Sequence, residues 1–200
     1  MARPRAFDKE EVLEAASNAF WLRGYEATST RDLTDCTGLS PSSLYATFGD
    51  KRTLFREALD HYLVILRERM SRLEAGPSPA AAITGFFDEV IARSLNDKLQ
   101  RGCLMVNSAL ESSPRDPEIQ DAIGRELALI EKFFHRSFIA GQKAGEIPAR
   151  HDAEDAARNL LAVLLGIRVL ARVKPQRKLL AGAVRQVLKA FDLPHLAKDS

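Results

Sequence analysis

The sequence predicts an all-α protein of nine helices, the first three small and most of the others long. Apolar residues recur at the three- and four-residue spacing of a helix along nearly all of the 200 residues. Breaks containing glycine or proline separate the periodic stretches, and most stretches open on a serine or aspartate suited to cap a helix. No segment alternates apolar and polar residues as a half-buried strand would.

Capping residues and breaks place each element in turn. The three short helices run from Asp8 (with Glu11 in a capping-box pattern) to Gly24, from Ser29 (with Asp32) to Gly38, and onward from Ser40-Pro41. Asp50 caps a long fourth helix that ends at the Gly-Pro-Ser-Pro break of residues 76–79. The last five helices begin near residue 79, Gly102, Asp116-Pro117, Asp152 and Pro175, and the ninth ends near Leu193.

Composition excludes several classes of protein. The hydrophobic fraction of 46% and the charged fraction of 28% are those of an ordinary globular protein, and the net charge of +2 argues neither for nor against nucleic acid. Two cysteines, Cys36 and Cys103, make no disulfide framework and fit a reducing cytoplasm. With no span-length apolar run, we expect a cytoplasmic protein without a membrane partner. No catalytic, cofactor or metal-ligand spacing occurs, so none of these sites is expected.

The second and third helices form a helix-turn-helix candidate. Gly38 supplies the small residue that a tight turn needs, and Leu33, Leu39, Leu44 and Phe48 can hold the two helices at a steep angle. The third helix would then present residues 41–47 to a major groove. The spacing alone is also compatible with an ordinary helical protein, in which Tyr45 and Phe48 are core aromatics and Lys51 is a solvated charge.

The segment from Thr30 to Phe55 resembles the signature of the TetR (tetracycline repressor) family. It contains Gly-Leu-Ser-Pro-Ser-Ser before a Leu-Tyr-x-x-Phe-x-x-Lys-x-x-Leu-Phe core, and the strong match covers roughly residues 8–60. The resemblance implies a homodimeric DNA-binding transcriptional regulator, most simply a repressor of a palindromic operator. Residues 1–52 would be its helix-turn-helix domain and residues 53–200 its helical ligand-binding and dimerisation domain, with helix four (50–74) linking them.

The resemblance also assigns DNA contacts by position. Phosphate or groove contacts fall on Thr30, Ser43, Tyr45, Thr47 and Lys51, and base contacts fall on Arg31, Pro41 and Ser42. Arg31 is the best candidate for a bidentate guanine contact. Against this, residues 1–51 carry six basic and eight acidic side chains, a weak electrostatic footprint for DNA. Arg3 and Arg5 precede the first cap and could form a minor-groove arm.

The resemblance further implies that a small-molecule inducer binds between helices four and seven. The candidate walls there are Tyr62, Phe86, Phe87, Met105, Phe133, Phe134 and Phe138, although aromatic residues at this spacing are also typical of a core. Cys103, in the first turn of helix six beside Arg101, is a candidate thiolate sensor of electrophiles, with Asn107 on the same face. The alternative is that Cys103 simply packs, as we expect of Cys36.

Helices eight and nine are the expected dimer surface, because helix eight is apolar on most sides. The residues concerned are Leu160, Leu161, Leu164, Leu165, Ile167 and Val169, with Leu180, Val184, Val187, Leu188 and Phe191 on helix nine. A helix central to its own subunit remains an alternative for helix eight. Two rival functions are a cysteine enzyme, with Cys103 as nucleophile and His135 as base, and a helical adaptor that binds no DNA.

Overall fold

A computed structural model describes residues 7–111 and 116–197 of the chain. Those residues form nine α-helices and no strand. The helices are α1 (Lys9–Arg23), α2 (Thr30–Thr37), α3 (Pro41–Phe48), α4 (Lys51–Glu74), α5 (Pro79–Asn96), α6 (Leu104–Glu111), α7 (Pro117–Lys143), α8 (Ala153–Val173) and α9 (Arg177–Ala190). None of these helices is long and apolar enough to cross a membrane. The expected fold class is confirmed.

Local capping chemistry sets most helix starts. Ser29 Oγ accepts a hydrogen bond from the Asp32 N–H, and the Asp32 carboxylate accepts one from the Ser29 N–H, which is a complete capping box. Asp8 caps α1 through the Glu10 N–H, and Asp50 caps α4. At the start of α2, two backbone N–H groups that have no partner within the helix are thereby hydrogen-bonded.

Helix α9 is shorter than the sequence predicts at both ends. It begins after Gln176 rather than at Pro175, because the Gln176 N–H closes a tight turn onto the Lys174 carbonyl at 2.8 Å. It ends at Ala190 because the Leu193 N–H returns to the Leu188 carbonyl at 2.9 Å, through Asp192 at a positive φ of 53°.

Helices α1–α3 form the N-terminal unit, in which α1 and α3 pack on α4 while α2 packs on α1 and α3. Helices α5–α9, the C-terminal unit, surround the rest of α4 and the long α7, which contacts α4, α5, α6 and α8. The centre of the C-terminal unit is aromatic: Phe86, Phe87, Phe133 and Phe134 are at most 1% exposed, with ring centroids 5.3–6.3 Å apart. Helix α4 belongs to both units, so its tilt relates one to the other.

Candidate functional site

The turn between α2 and α3 has the geometry that a helix-turn-helix requires. Gly38 has φ 69° and ψ 8°, a left-handed conformation that only glycine adopts at little cost, and its N–H bonds the Thr34 carbonyl. Ser40 caps α3 by accepting from the Ser43 N–H at 3.1 Å. Leu33 and Leu44 are fully buried between the helices. The angle between α2 and α3 is therefore fixed by packing and by the turn.

Helix α3 exposes the side chains that the sequence assigned to DNA. Pro41, Ser42, Ser43 and Thr47 are all exposed. The Ser40 hydroxyl lies 3.0 Å from Ser42 Oγ and 2.9 Å from Ser43 Oγ, which gathers three hydroxyls at the N-terminus of the helix. Hydroxyls and free backbone N–H groups at a helix N-terminus together suit a phosphate oxygen.

Two of the expected contacts bond to each other. The hydroxyls of Thr30, on α2, and Tyr45, on α3, are 2.7 Å apart and half-buried. The bond adds a polar link to the apolar contacts between the two helices. Both groups have a second hydrogen-bonding position free for a phosphate.

The two candidate cations on this side of the unit differ in how firmly they are held. The Lys51 ammonium donates to the Glu26 carbonyl at 3.3 Å and lies 4.6 Å from the centre of the Tyr25 ring. Arg31 has a side chain 90% exposed, with Asp35 Oδ2 3.8 Å from its Nε. Arg31 is thus free to reorient, whereas Lys51 exchanges existing contacts for any phosphate. Arg3 and Arg5, the expected arm, lie outside the described residues.

Helix α6 is fastened to the N-terminal unit by a carboxylate. Glu111, the last residue of α6, accepts hydrogen bonds from the Tyr25 N–H at 3.2 Å and the Glu26 N–H at 2.9 Å. Gly24 lies directly beneath this carboxylate, and a Cβ at Gly24 would be 2.5 Å from Glu111 Oε2. The absence of a side chain at Gly24 makes room for the contact.

Two further contacts hold α1 and the start of α4 to the C-terminal unit. Trp21, on α1, donates from its indole N–H to the Arg101 carbonyl at 3.1 Å, and the Arg101 guanidinium lies 4.2 Å from the ring centre. Arg52, at the start of α4, makes a two-bond ion pair with Asp116, the cap of α7, at 2.6 and 2.9 Å. That ion pair holds the pKa of Asp116 at about 2. A change in the C-terminal unit therefore reaches the N-terminal unit through several direct contacts.

Cys103 is buried immediately before α6, 5% exposed. Its Sγ lies 3.5 Å from the Tyr62 hydroxyl of α4. Arg168 of α8 approaches from the other side, where its guanidinium donates to the Gly102 carbonyl at 2.7 Å and to Ser94 Oγ at 3.1 Å. Three helices thus meet around one thiol.

The neighbours of Cys103 favour its thiolate. Burial by itself raises the pKa of the thiol, but the positive charge of Arg168 and a hydrogen bond from Tyr62 outweigh burial, so the pKa is lowered. The Val106 N–H, in the first turn of α6, adds to the same effect. The cation is Arg168 and not the expected Arg101, whose guanidinium pairs with Asp97 and covers Trp21.

The other expected ligand residues do not gather around Cys103. Asn107 donates its side-chain N–H to the Arg101 carbonyl at 2.9 Å, which braces the turn before α6. Phe86 and Phe134 lie in the aromatic centre, and Phe138 packs edge-on against Phe191. All three phenylalanines are at most 1% exposed and pack against other aromatic side chains. Their contact with a ligand stays a prediction.

Cys36 is exposed, so the expectation that it simply packs was wrong. Its thiol donates only to the Leu33 carbonyl, at 3.3 Å. Partial burial, together with the charges of Asp32 and Asp35, raises the pKa of this thiol. The two cysteines therefore differ in both burial and pKa: Cys103 is buried and its pKa is lowered, whereas Cys36 is exposed and its pKa is raised.

Comparison with known proteins bears directly on this arrangement. A family model described as bacterial regulatory proteins of the tetR family matches residues 12–58, and one described as the tetracyclin repressor-like C-terminal domain matches residues 79–187. The chain belongs to the TetR family. It is therefore a DNA-binding transcriptional regulator and not an enzyme, which removes the catalytic roles considered for Cys103 and His135.

Relatives of this TetR-family chain align along most of its length. The transcriptional repressor ComR of Escherichia coli K12 is 30% identical over 172 residues, covering 85% of this chain and 82% of ComR. The regulator YezE of Bacillus subtilis 168 is 32% identical over 194 residues, covering 96% of this chain and all of YezE.

A solved structure extends the likeness to a DNA complex. A cysteine mutant of the TetR regulator CifR, complexed with 26 bp double-strand operator DNA, superposes with a TM-score of 0.84 at 37% identity, covering 95% of this chain and 100% of that one. A TetR regulator from Chloroflexus aurantiacus superposes with a TM-score of 0.81 at 26% identity, covering 90% of this chain and 91% of that one.

The long-range contacts of Trp21, Glu111 and Arg168 were not predicted from the sequence. Trp21 is the one tryptophan of the chain, which was a signal, but Arg168 on α8 and Glu111 at the end of the short α6 are ordinary charged residues. Their partners lie 65 or more residues away, at Cys103 and Glu26, and no local pattern indicates such pairs.

Proposed function

We propose that this regulator represses transcription as a homodimer on a palindromic operator, and that a small-molecule inducer or modification of Cys103 releases it. The exposed face of α3 carries the proposal. A rigid turn holds that helix, its hydroxyl-rich N-terminus is exposed, and the neighbouring α2 presents the exposed guanidinium of Arg31. CifR, a relative with the same fold, is complexed with operator DNA, which supports operator binding by this chain.

On DNA, each candidate residue takes a role set by its chemistry. Arg31 makes two parallel hydrogen bonds to a guanine edge, and leaving Asp35 costs little because that pair is long and exposed. Pro41 and Ser42 contact base edges. The phosphates are held by Thr30, Ser43, Tyr45, Thr47 and Lys51. Among the described residues of the N-terminal unit few cations lie outside ion pairs, so DNA binding depends on these hydroxyl contacts more than on charge, which predicts modest non-specific affinity.

The proposed dimer surface is an apolar stripe on α8. Leu161, Leu165, Val169 and Val173 follow one another at four-residue spacing and are half-buried or exposed, Val173 at 78%. The opposite face of α8 (Leu160, Leu164 and Ile167) is buried in its own subunit, as the alternative for this helix anticipated. A two-fold axis through this stripe presents two copies of α3, about 34–36 Å apart, to successive major grooves.

The contribution expected from the apolar residues of α9 is not available to a partner. Leu180, Val184, Val187 and Leu188 are at most 8% exposed within the subunit. They pack α9 onto α5 and α8. Any α9 share of the interface comes from its polar outer face.

Cys103 is the proposed point of covalent control. Its thiolate attacks an electrophilic carbon, as in the addition to N-ethylmaleimide, where a C–S bond forms, the alkene π pair becomes an enolate and water supplies a proton to the neighbouring carbon. An adduct cannot fit between Tyr62 and Arg168 without separating α4 from α8. Helix α4 begins beside α3, so this displacement changes the spacing of the two recognition helices.

The experiment is a titration of the full chain onto duplex DNA from upstream of its own gene, or onto duplexes selected from genomic fragments. Arg31→Gln is expected to weaken specific binding about tenfold or more, equal to about 1.4 kcal/mol or more. Arg125→Gln is the matched control, since Arg125 is an exposed arginine on α7 with no ion pair among the described residues. Equal losses in both variants, or no specific duplex, contradict the proposal.

The cysteine arm uses Cys36→Ser as its background because Cys36 is exposed and also alkylates. In that background N-ethylmaleimide is expected to release the operator, and the further change Cys103→Ser is expected to abolish the response while leaving operator affinity intact. Release that persists in the double variant contradicts a role for Cys103. If N-ethylmaleimide releases no operator DNA in the Cys36→Ser background, control through Cys103 is contradicted and a reversible inducer remains the proposed signal.

A further inference from the structure

A cleft of about 390 Å³ opens between the N-terminal unit and the C-terminal unit. Helices α1, α4, α5 and α8 and the segment 97–102 form its walls. Trp21 from α1, with Tyr62 and Ile65 from α4, gives it an aromatic and apolar side. Its volume falls within the range of small-molecule sites.

The charged part of the lining is mainly basic. Four arginines and two carboxylates line the cleft: Arg69, Arg93, Arg101, Arg168, Glu14 and Asp97. Asp97 is already engaged, because Arg101 donates to it from its backbone N–H at 2.7 Å and from its Nε at 3.1 Å. The positive charge in the cleft therefore exceeds what its own carboxylates neutralise.

Arg93 has the most available charge. Its guanidinium has no hydrogen bond or ion pair with any residue of the described ranges 7–111 and 116–197. Arg69 beside it is only 12% exposed, and its nearest carboxylate oxygen, Glu89 Oε2 at 3.3 Å, belongs to a group that Arg72 shares. Burial and then the charge of Arg93 lower the pKa of Arg69, which records an unfavourable proximity of like charges.

Arg168 closes the inner end of the cleft without a carboxylate partner in the described part of the chain. Its guanidinium donates to Ser94 Oγ and the Gly102 carbonyl, and its remaining neighbours are the Cys103 thiol and the Tyr62 hydroxyl. A bound anion would reduce the repulsion among these guanidinium groups and gain charge-assisted hydrogen bonds from them.

We propose that this cleft binds a small organic carboxylate that carries an apolar ring or chain. The carboxylate lies on Arg93 and Arg69, whose planar forks suit its two oxygens, and the apolar part lies against Trp21 and Ile65. The aromatic wall favours such an amphipathic anion over a bare inorganic one. The cleft is separate from the aromatic centre at Phe86 and Phe134, which is closed by its own packing.

The position of the cleft gives such a ligand access to both units. Trp21 forms part of the wall and is also bonded to the Arg101 carbonyl, so an occupant touches α1 and the segment 97–102 together. A ligand that changes this contact changes the position of α1, and so of α2 and α3, relative to the C-terminal unit. This regulatory consequence rests on the proposed function, whereas binding of the carboxylate does not.

Trp21, the one tryptophan of the chain, reports on the cleft directly. The full chain, without DNA, is titrated with 4-phenylbutanoate and with the uncharged 4-phenylbutanamide while tryptophan fluorescence is followed. We expect a saturable change with the carboxylate and at least tenfold weaker binding of the amide. Arg93→Gln is expected to weaken carboxylate binding about tenfold, Arg93→Lys less, and Arg125→Gln not at all.

Each other result overturns the inference. Equal binding of carboxylate and amide means an apolar cleft without anion recognition. Unchanged affinity in Arg93→Gln, in a variant whose circular dichroism matches the wild type, removes the assigned contact, and no saturable signal removes the site. Because DNA is absent, loss of operator binding with retained carboxylate binding contradicts only the proposed function, and the reverse result contradicts only this inference.

Discussion

The contact between Gly24 and Glu111 allows a sharp test of how the two units are joined. Gly24 has φ 86° and ψ 166°, a region that is essentially restricted to glycine. The Glu111 carboxylate occupies the space where a side chain at Gly24 would lie, and it accepts two backbone N–H bonds there. Substituting either residue therefore damages the same contact.

The magnitudes follow from this geometry. An alanine at Gly24 costs about 1–3 kcal/mol of backbone strain. It also displaces the carboxylate, and losing two charge-assisted hydrogen bonds near the surface costs about 2 kcal/mol. Glu111→Ala alone loses the same bonds, about 2 kcal/mol. In the double variant the bonds are lost only once, so the combined effect falls short of the sum of the single effects by about 2 kcal/mol.

The assay is urea unfolding of the wild type, both single variants and the double variant, followed by circular dichroism at one fixed protein concentration. The concentration is held constant because dimerisation contributes to apparent stability. The free energies of unfolding give the coupling between the two sites. Additive effects, within about 0.5 kcal/mol, would refute the reasoning that the missing side chain at Gly24 exists to admit the Glu111 carboxylate.

Three further predictions concern the core, the thiols and the dimer. Phe134→Ala is expected to lower the free energy of unfolding by about 3–5 kcal/mol, since its fully buried ring contacts three others; a loss below 1 kcal/mol in urea unfolding would contradict this. Alkylation rates, measured by mass spectrometry on single-cysteine variants, fall as the pH drops below the pKa of each thiol. This fall is expected at lower pH for Cys103 than for Cys36, because the pKa of Cys103 is lowered and that of Cys36 is raised. The opposite order would contradict the environments assigned to the two thiols. Val169→Glu is expected to shift light scattering from dimer towards monomer, while the matched Val64→Glu, 41% exposed on α4 against 45% for Val169, is not; equal behaviour would remove α8 from the interface.

The helices and the recognition element can be predicted from local sequence. Caps such as Ser29 and Asp50, together with the Gly38 turn, act over three or four residues, so their chemistry can be read locally and the structure repeats it. The ends of α9 differ, where backbone turns rather than side-chain caps set the limits, and α6 begins at Leu104, so that Cys103 precedes it instead of lying in its first turn. The exposed face of α3 followed from the same local pattern.

The tertiary structure alone decided what each buried face meets. Periodicity shows that a side of α9 is buried, but not that it is buried in its own subunit. Periodicity also predicts that Phe86 and Phe134 point inward, but not that their rings contact each other. It does not predict that Arg168 lies beside Cys103, 65 residues earlier in the chain. The physical reason is that hydrophobic burial is non-directional: it fixes which residues leave water, whereas the packing of whole helices selects their partners.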